Sequence, residues 1–276
     1  MQTEWKQEET QVGDLTVHYA RSYTAGGAPL VLAHGFSDSG MCWLPAAQAL
    51  AVEYDVILPD ARGHGLSSRV QPDSGAELDL AADLAGFIRA LALERPVVGG
   101  HSMGAGTAAE MEARFPGLAS ALILEDPPWR ALPVEEKPPA APANTWMDWL
   151  NTYHNRSLEE VIEHGRQLNP NWDAAEFPAW AASKQQFDPN FVTARSRILR
   201  PDFVDLVRAI TIPALLITAD PEKGAIVTPE VAEQVVDANP LIQVAHIHGA
   251  GHNIRREAFT EFMDAVRGFL GALPKE

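Results

Sequence analysis

The chain has 276 residues, 46% of them hydrophobic, and its 37 acidic against 21 basic side chains give a formal charge of −16. That size and apolar content suit one large core, and so negative a balance makes phosphate backbones and anionic lipid poor partners, so neither nucleic acid nor a membrane is expected. No apolar run is long enough to span a bilayer, and the opening MQTEWKQEET lacks the basic-then-apolar order of a secretory leader, which leads to the expectation of a cytoplasmic protein. The single cysteine, Cys42, excludes an intrachain disulfide and a cysteine-rich zinc site. In the setting SGMCW, with no turn into a helix and no nearby base, it reads as a buried or half-buried thiol.

In chain order, DLTVHYA (14–20) reads as a hairpin strand, and PLVLAH (29–34) is the short unbroken apolar run that a doubly covered parallel strand needs. The same pattern returns at YDVILPD (54–60), PVVGG (96–100), ALILED (121–126), PALLITAD (213–220) and LIQVAHI (241–247). Between these runs, ELDLAADLAGFIRALAL places Leu80, Leu84, Phe87, Ile88 and Leu91 on one helical face. REAFTEFMDAVRGFL does the same with Phe259, Phe262, Met263, Val266 and Phe269. Strand and helix alternate, which predicts an α/β fold with a mostly parallel central sheet and helices on both faces.

One region breaks the rhythm. From 127 to about 205 the chain is rich in proline and holds five of the seven tryptophans, Trp129, Trp146, Trp149, Trp172 and Trp180. NTWMDWLNTYH and SLEEVIEHGRQL have helical spacing, so the segment reads as a helical cap (127–205) inserted between two parts of the core (1–126 and 206–276). A helical excursion belonging to the core itself is the competing reading. The short PPAAPA run reads as a loop.

VVGGHSMGAG (97–106) sets Ser102 in a G-x-S-x-G pattern, Gly100-His101-Ser102-Met103-Gly104, after an apolar strand and before AGTAAEMEARF, where Ala108, Met111 and Phe115 share a helical face. Glycines flanking the serine relieve crowding where its backbone is strained, so that the hydroxyl stands exposed above the sheet. The alternative is a tight turn in which Ser102 merely caps the helix. A serine hydroxyl barely ionises at neutral pH and needs a base within hydrogen-bond reach. Of nine histidines, His252 lies in the glycine-bounded loop GAGHN between the last strand and the last helix.

On these motifs the sequence resembles the α/β-hydrolase superfamily, serine-nucleophile branch. His34-Gly35-Phe36 after the PLVLAH strand, DARGHGLS (60–67) after the next and GAGHN (249–253) after the last extend the likeness over nearly the whole chain. The resemblance implies His252 as the base, an oxyanion hole from the backbone N–H groups of Phe36 and Met103, and a triad acid between serine and histidine in chain order. In most of the superfamily the acid follows the strand matching PALLITA, where ADPEKGAIVTPE puts Glu222 in the usual place counting forward from the strand but Gly224 there counting back from IVTPE, with Asp220 slightly early. Asp126, ending ALILED 24 residues after Ser102, occupies the place some members use and is preferred to Asp220, with Glu222 third. A cap on the N–H groups near Pro127-Pro128 is the other role open to Asp126.

Trp43 and Trp129 are candidate pocket walls, and the cap tryptophans could equally form the cap's own core. His34, His64 and His101 are expected to orient loops, and Arg62 to tie its loop down through backbone carbonyls. A metal site at His246, His248 and His252 is disfavoured because no carboxylate stands among them. The expectation is a serine hydrolase needing no cofactor or metal, acting on a carboxylic ester or lactone of small to medium apolar character through an acyl-enzyme. Carbon–carbon bond hydrolysis, perhydrolysis, cofactor-free oxygenation, a slow-turnover ligand receptor and a scaffold with a relic site remain the alternatives. A serine at the elbow argues against the epoxide hydrolase and haloalkane dehalogenase branches, which start from a carboxylate.

Overall fold

The computed structural model describes residues 3–71, 77–130, 143–194, 197–198 and 201–274. The proline-rich run at 131–142 and the side chain of Trp146 lie outside the described residues. Eight strands form one sheet: β1 (Lys6–Val12), β2 (Leu15–Arg21), β3 (Ala28–Ala33), β4 (Tyr54–Pro59), β5 (Val97–His101), β6 (Ala121–Glu125), β7 (Ala214–Ala219) and β8 (Ile242–Ile247). Their order is β1-β2-β4-β3-β5-β6-β7-β8. The β1–β2 and β2–β4 pairs are antiparallel and every later pair is parallel. This is the α/β-hydrolase fold, with its sheet mostly parallel as the apolar runs predict. β1 was not among the expected strands because KQEETQV, at the sheet's edge, alternates exposed with half-buried residues and carries no apolar face.

The helices that cover the sheet follow from the apolar spacing. On one face lie α2 (Leu80–Ala90), α3 (Met103–Arg114), α8 (Phe203–Ala209) and α9 (Pro229–Ala238), whose buried Phe87, Ile88, Met111, Val207 and Val231 meet Val31, Val98 and Leu122 of the sheet. On the other lie α1 (Leu44–Leu50), the single turn α10 (Ile254–Glu257) and α11 (Phe259–Ala272), which bury Leu50, Ile254, Phe262 and Phe269 against Leu30, Val56 and Ile217. Phe259, expected on the buried face of α11, is its first residue and is exposed.

Between β6 and β7 comes the helical insertion: α4 (Ala143–His154), α5 (Leu158–Leu168), α6 (Phe177–Gln186) and α7 (Pro189–Ala194). α5 starts on a capping box in which Ser157 and Glu160 satisfy each other's backbone N–H groups. Trp172 and Trp180 pack with Tyr153, Val161 and Phe177 into a small core of the insertion's own. The expected boundary after residue 205 falls inside α8, whose buried Leu206 and Val207 join the main core.

Buried histidines fasten the loops at the carboxyl ends of the strands. His34 donates from Nδ1 to Gly35 O (2.8 Å) and accepts at Nε2 from Ala61 N–H (2.9 Å), which ties the HGF loop to the loop after β4. His64 Nδ1 donates to Arg62 O (2.9 Å), and His101 Nε2 donates to His252 O (2.9 Å). Burial lowers the basicity of all three from the ordinary value of 6.5, most strongly for His64 and His101.

Two predictions follow from this packing. A methyl on Gly104 would stand 2.3 Å from Ala33 O and 2.7 Å from His34 O, whereas one on Gly268, in α11, meets open space. Gly104→Ala should therefore lose about 1–3 kcal/mol in urea unfolding, and Gly268→Ala should gain about 0.5–1 kcal/mol. The histidines bind fewer protons folded than unfolded, so their contribution to stability is complete above pH 6.5 and declines as pH falls below it. Urea midpoints of the parent should fall over that range, and His64→Phe should flatten the fall.

Candidate active site

Ser102 sits between β5 and α3 with φ 50° and ψ −113°, a conformation costly for a side chain with a Cβ. The bend is locked from both sides. Ser102 N–H donates to Glu125 O (2.8 Å), and a methyl on Gly100 would stand 2.3 Å from the carbonyl carbon of Gly104. Although Ser102 is the residue before α3, its hydroxyl caps nothing in the helix. It lies instead 3.0 Å from His252 Nε2.

His252 stands in the loop between β8 and α10, held by the bond from His101 to its carbonyl and by Gly251 N–H donating to Glu257 (2.6 Å). Its Nδ1 is 2.6 Å from Asp126 Oδ2. Asp126 is fully buried, has φ 41°, and accepts N–H bonds from Ile226 (2.8 Å to Oδ2) and Val227 (2.9 Å to Oδ1). Its carboxylate thus caps the loop after β7 rather than the N–H groups near Pro127-Pro128. A carboxylate fixed on one imidazole nitrogen holds the ring's tautomer, and the other nitrogen is then able to take a proton from the hydroxyl.

Met103 opens α3, and the first N–H groups of a helix have no partner within it. Phe36 follows Gly35 in the loop after β3, and the tight approach of Gly104 to Ala33 and His34 brings these two segments side by side. The side chains of Phe36 and Met103 are half-buried and pack with Met147 and Trp149 of α4 against the buried Leu150, Phe187 and Phe191 of the insertion.

Other expected residues lie elsewhere. Asp220 directly follows β7, accepts from Gly249 N–H (2.8 Å) and lies 3.2 Å from His246 Nε2, while the carboxylate bonded to His252 is that of Asp126. Glu222 is exposed on the following turn. Trp43 is 1% exposed, packed inside the core, where it donates to Ala33 O (3.1 Å) and lies under the Arg255 guanidinium. Trp129 is likewise buried, stacked on Phe203. Arg62 ties its loop down through a carboxylate instead of backbone carbonyls, pairing with Asp83 by two bonds of 2.9 and 2.8 Å. Burial pushes the Cys42 thiol up in pKa, as suits an inert buried sulfur. A cavity of about 50 Å³ beneath Met103, lined also by Leu15, Leu84 and Phe87, has room for water and not for a substrate.

The sequence reading missed a buried charge network around the site. Asp38, two residues after Phe36, accepts from Lys184 of α6 (2.9 Å) and from Arg256 of α10 (2.9 Å). Lys184 also donates to the carbonyl and hydroxyl of Ser37 (2.9 and 3.0 Å). Arg256 reaches Glu176 (3.1 Å), and Arg255 reaches Glu125 (2.9 Å), the neighbour of Asp126. Three cations meet three carboxylates, all buried. Burial would raise the Asp38 pKa, but Arg256, Lys184 and Arg255 hold it well below the usual carboxylate range. No sequence signal marks these six residues beyond an Arg-Arg pair, Arg255-Arg256, one residue after GAGHN.

The chain matches the alpha/beta hydrolase family model over residues 30–266. It is 30% identical to N-formylmaleamate deformylase of Pseudomonas putida over 92% of each chain. It is 28% identical to 2-(acetamidomethylene)succinate hydrolase of Mesorhizobium japonicum over 90% of each. Among solved structures, the N-formylmaleamic acid deformylase of Pseudomonas putida S16 superposes with a TM-score of 0.79 at 24% identity, covering 95% of this chain and 100% of that one. A strand order, a strained serine turn and a family match across most of the sequence agree: this chain belongs to the alpha/beta hydrolase family.

Proposed function

We propose that the chain is a serine hydrolase of small acyl compounds, with Ser102 as nucleophile, His252 as general base and Asp126 as the acid that orients it. The observation that carries this reading is the unbroken line from Ser102 Oγ through His252 to Asp126, with links of 3.0 and 2.6 Å. In the proposed reaction His252 Nε2 takes the hydroxyl proton as Oγ attacks the acyl carbon. The N–H groups of Phe36 and Met103 receive the growing charge on the carbonyl oxygen, where one such donor contributes about 3–4 kcal/mol. The imidazolium returns its proton to the departing oxygen or nitrogen, and water, activated by the same imidazole, clears the acyl-enzyme.

The sequence motifs and the family resemblance lead to the expectation of an ester or lactone. The two relatives matched over nine-tenths of their length are named for an N-formyl and an acetamido compound, which favours an N-acyl amide of a small carboxylic acid as the physiological substrate. Because the proton that His252 delivers suits a nitrogen leaving group as well as an oxygen, esters and lactones are retained as faster-leaving model substrates.

The buried network enters this reading as a positioning device. Lys184 and Arg256 grip Asp38 and Ser37, directly after Phe36, while Arg255 grips Glu125, directly before Asp126. The segments carrying the proposed oxyanion donor, acid and base are thereby tied to one another and to α6.

Turnover of a panel of N-formyl and N-acetyl amides, short esters, lactones and a β-diketone tests the proposal. Amide and ester cleavage abolished by Ser102→Ala supports it, whereas cleavage of the diketone alone, or cleavage unaffected by Ser102→Ala, contradicts it. On the best substrate Asp126→Asn should lower turnover by about 10⁴-fold while Asp220→Asn stays near the parent. Lys184→Met should cost about 3–5 kcal/mol in urea unfolding by leaving the buried network one cation short, with Asp38 held by Arg256 alone at hydrogen-bond distance, and on the order of 10²-fold in turnover by loosening the Phe36 loop. Lys184→Arg should recover part of both.

A further inference from the structure

The same end of the sheet carries a second cluster, apart from Ser102. β7 and β8 run parallel with Thr218 opposite His246 and Ala219 opposite Ile247. Side chains alternate along a strand, so Thr218 and Asp220 share one face, and His246 and His248 share it with them. Asp220 Oδ1 lies 3.2 Å from His246 Nε2 and 3.6 Å from His248 Nδ1, and the three donor atoms all lie within 4.8 Å of one another. The carboxylate missing from the sequence reading of these histidines is thus supplied by the neighbouring strand, while His252 stands apart, bonded to Asp126.

We propose that Asp220, His246 and His248 form a binding site for one divalent transition ion of the zinc type. Two imidazole nitrogens and one carboxylate oxygen, with no thiolate, suit zinc, nickel or copper better than calcium or magnesium. Two metal bonds of about 2.0–2.1 Å at a tetrahedral angle put their ligand atoms about 3.3 Å apart, close to the spacings that Asp220 makes with each histidine. The surrounding groups aim these donors. Thr218 Oγ1 lies 3.0 Å from His246 Nδ1, turning Nε2 toward Asp220, and Gly249 N–H occupies Asp220 Oδ2 at 2.8 Å, leaving Oδ1 for the cluster. Such partners fix ring orientation and strengthen metal ligation. His248 is 88% exposed, so an ion has a path in and room for water as its remaining ligand.

The ion would bridge the end of β7 to the loop that begins at His248 and carries His252 four residues later. It would therefore brace that loop without touching Ser102, and its existence does not depend on the proposed reaction. Binding to the folded state alone raises thermal stability with the logarithm of ion concentration once that concentration exceeds Kd.

Titration of the tag-free full chain with Zn²⁺, by calorimetry and by thermal unfolding, tests the site, with Co²⁺ absorption reporting the ligand field. We expect one ion per chain in the micromolar range, a rise in Tm, and a loss of at least tenfold in affinity in His246→Gln, His248→Ala and Asp220→Asn. Thr218→Val should weaken binding by a smaller factor. His248→Ala, at so exposed a position, leaves the fold intact and is the decisive variant. No binding by the parent, or equal binding by the parent and His248→Ala, would overturn the proposal.

Discussion

The carboxylate of Asp126 is the constraint on which the candidate site depends. It is buried, its own backbone sits at positive φ, and it is shared between two N–H groups of the loop after β7 and one imidazole nitrogen. Those two N–H groups fix the carboxylate in place, so that the His252 ring is held at 2.6 Å from it in one orientation. The serine turn supplies the complementary constraint. With Ser102 at φ 50° and its hydroxyl making no cap bond, the local structure gives up an ordinary helix start to leave that oxygen beside His252.

Holding such an arrangement still requires that the loops carrying it do not drift, and the buried ions address this requirement. Buried ion pairs are weak contributors to net stability, because desolvation offsets their attraction. Their geometry is demanding, however, and a demanding geometry fixes register between segments distant in sequence. Asp38, Lys184, Arg255, Arg256, Glu125 and Glu176 come from the HGF loop, the insertion, α10 and β6, and balance to zero charge in the interior of a strongly acidic chain. The insertion is therefore bonded into the site region by ionic contacts as well as by the apolar packing of Phe36 and Met103 on Phe187 and Phe191.

Much of this was legible in the sequence, for reasons that can be named. Unbroken apolar runs locate the parallel strands because both faces of the sheet are covered. The glycines around Ser102 and His252 locate the tight turns because no larger residue fits there. The partner carboxylate of His252 is not legible in the sequence because it rests on tertiary detail: Asp126 reaches His252 from a positive φ and is held by the N–H groups of Ile226 and Val227, while Asp220 is held by Gly249 and lies beside His246. Trp43 and Trp129 are buried in the core, and an aromatic near a motif is as able to fill the core as to line a pocket, which the sequence alone does not decide. The ion network was invisible because its charges, scattered along the chain, look individually like surface residues. Cross-strand chemistry at Asp220, His246 and His248 was hidden likewise, since it needs the β7–β8 register.

The central claim is that the Ser102 hydroxyl is activated by an imidazole held on Asp126. Its most direct measurement is titration of the full chain with a fluorophosphonate, followed by intact-mass analysis and peptide mapping. The account predicts one adduct per chain, on Ser102, forming far more slowly when His252 is replaced by Ala. No adduct, or an adduct on another residue, would contradict it.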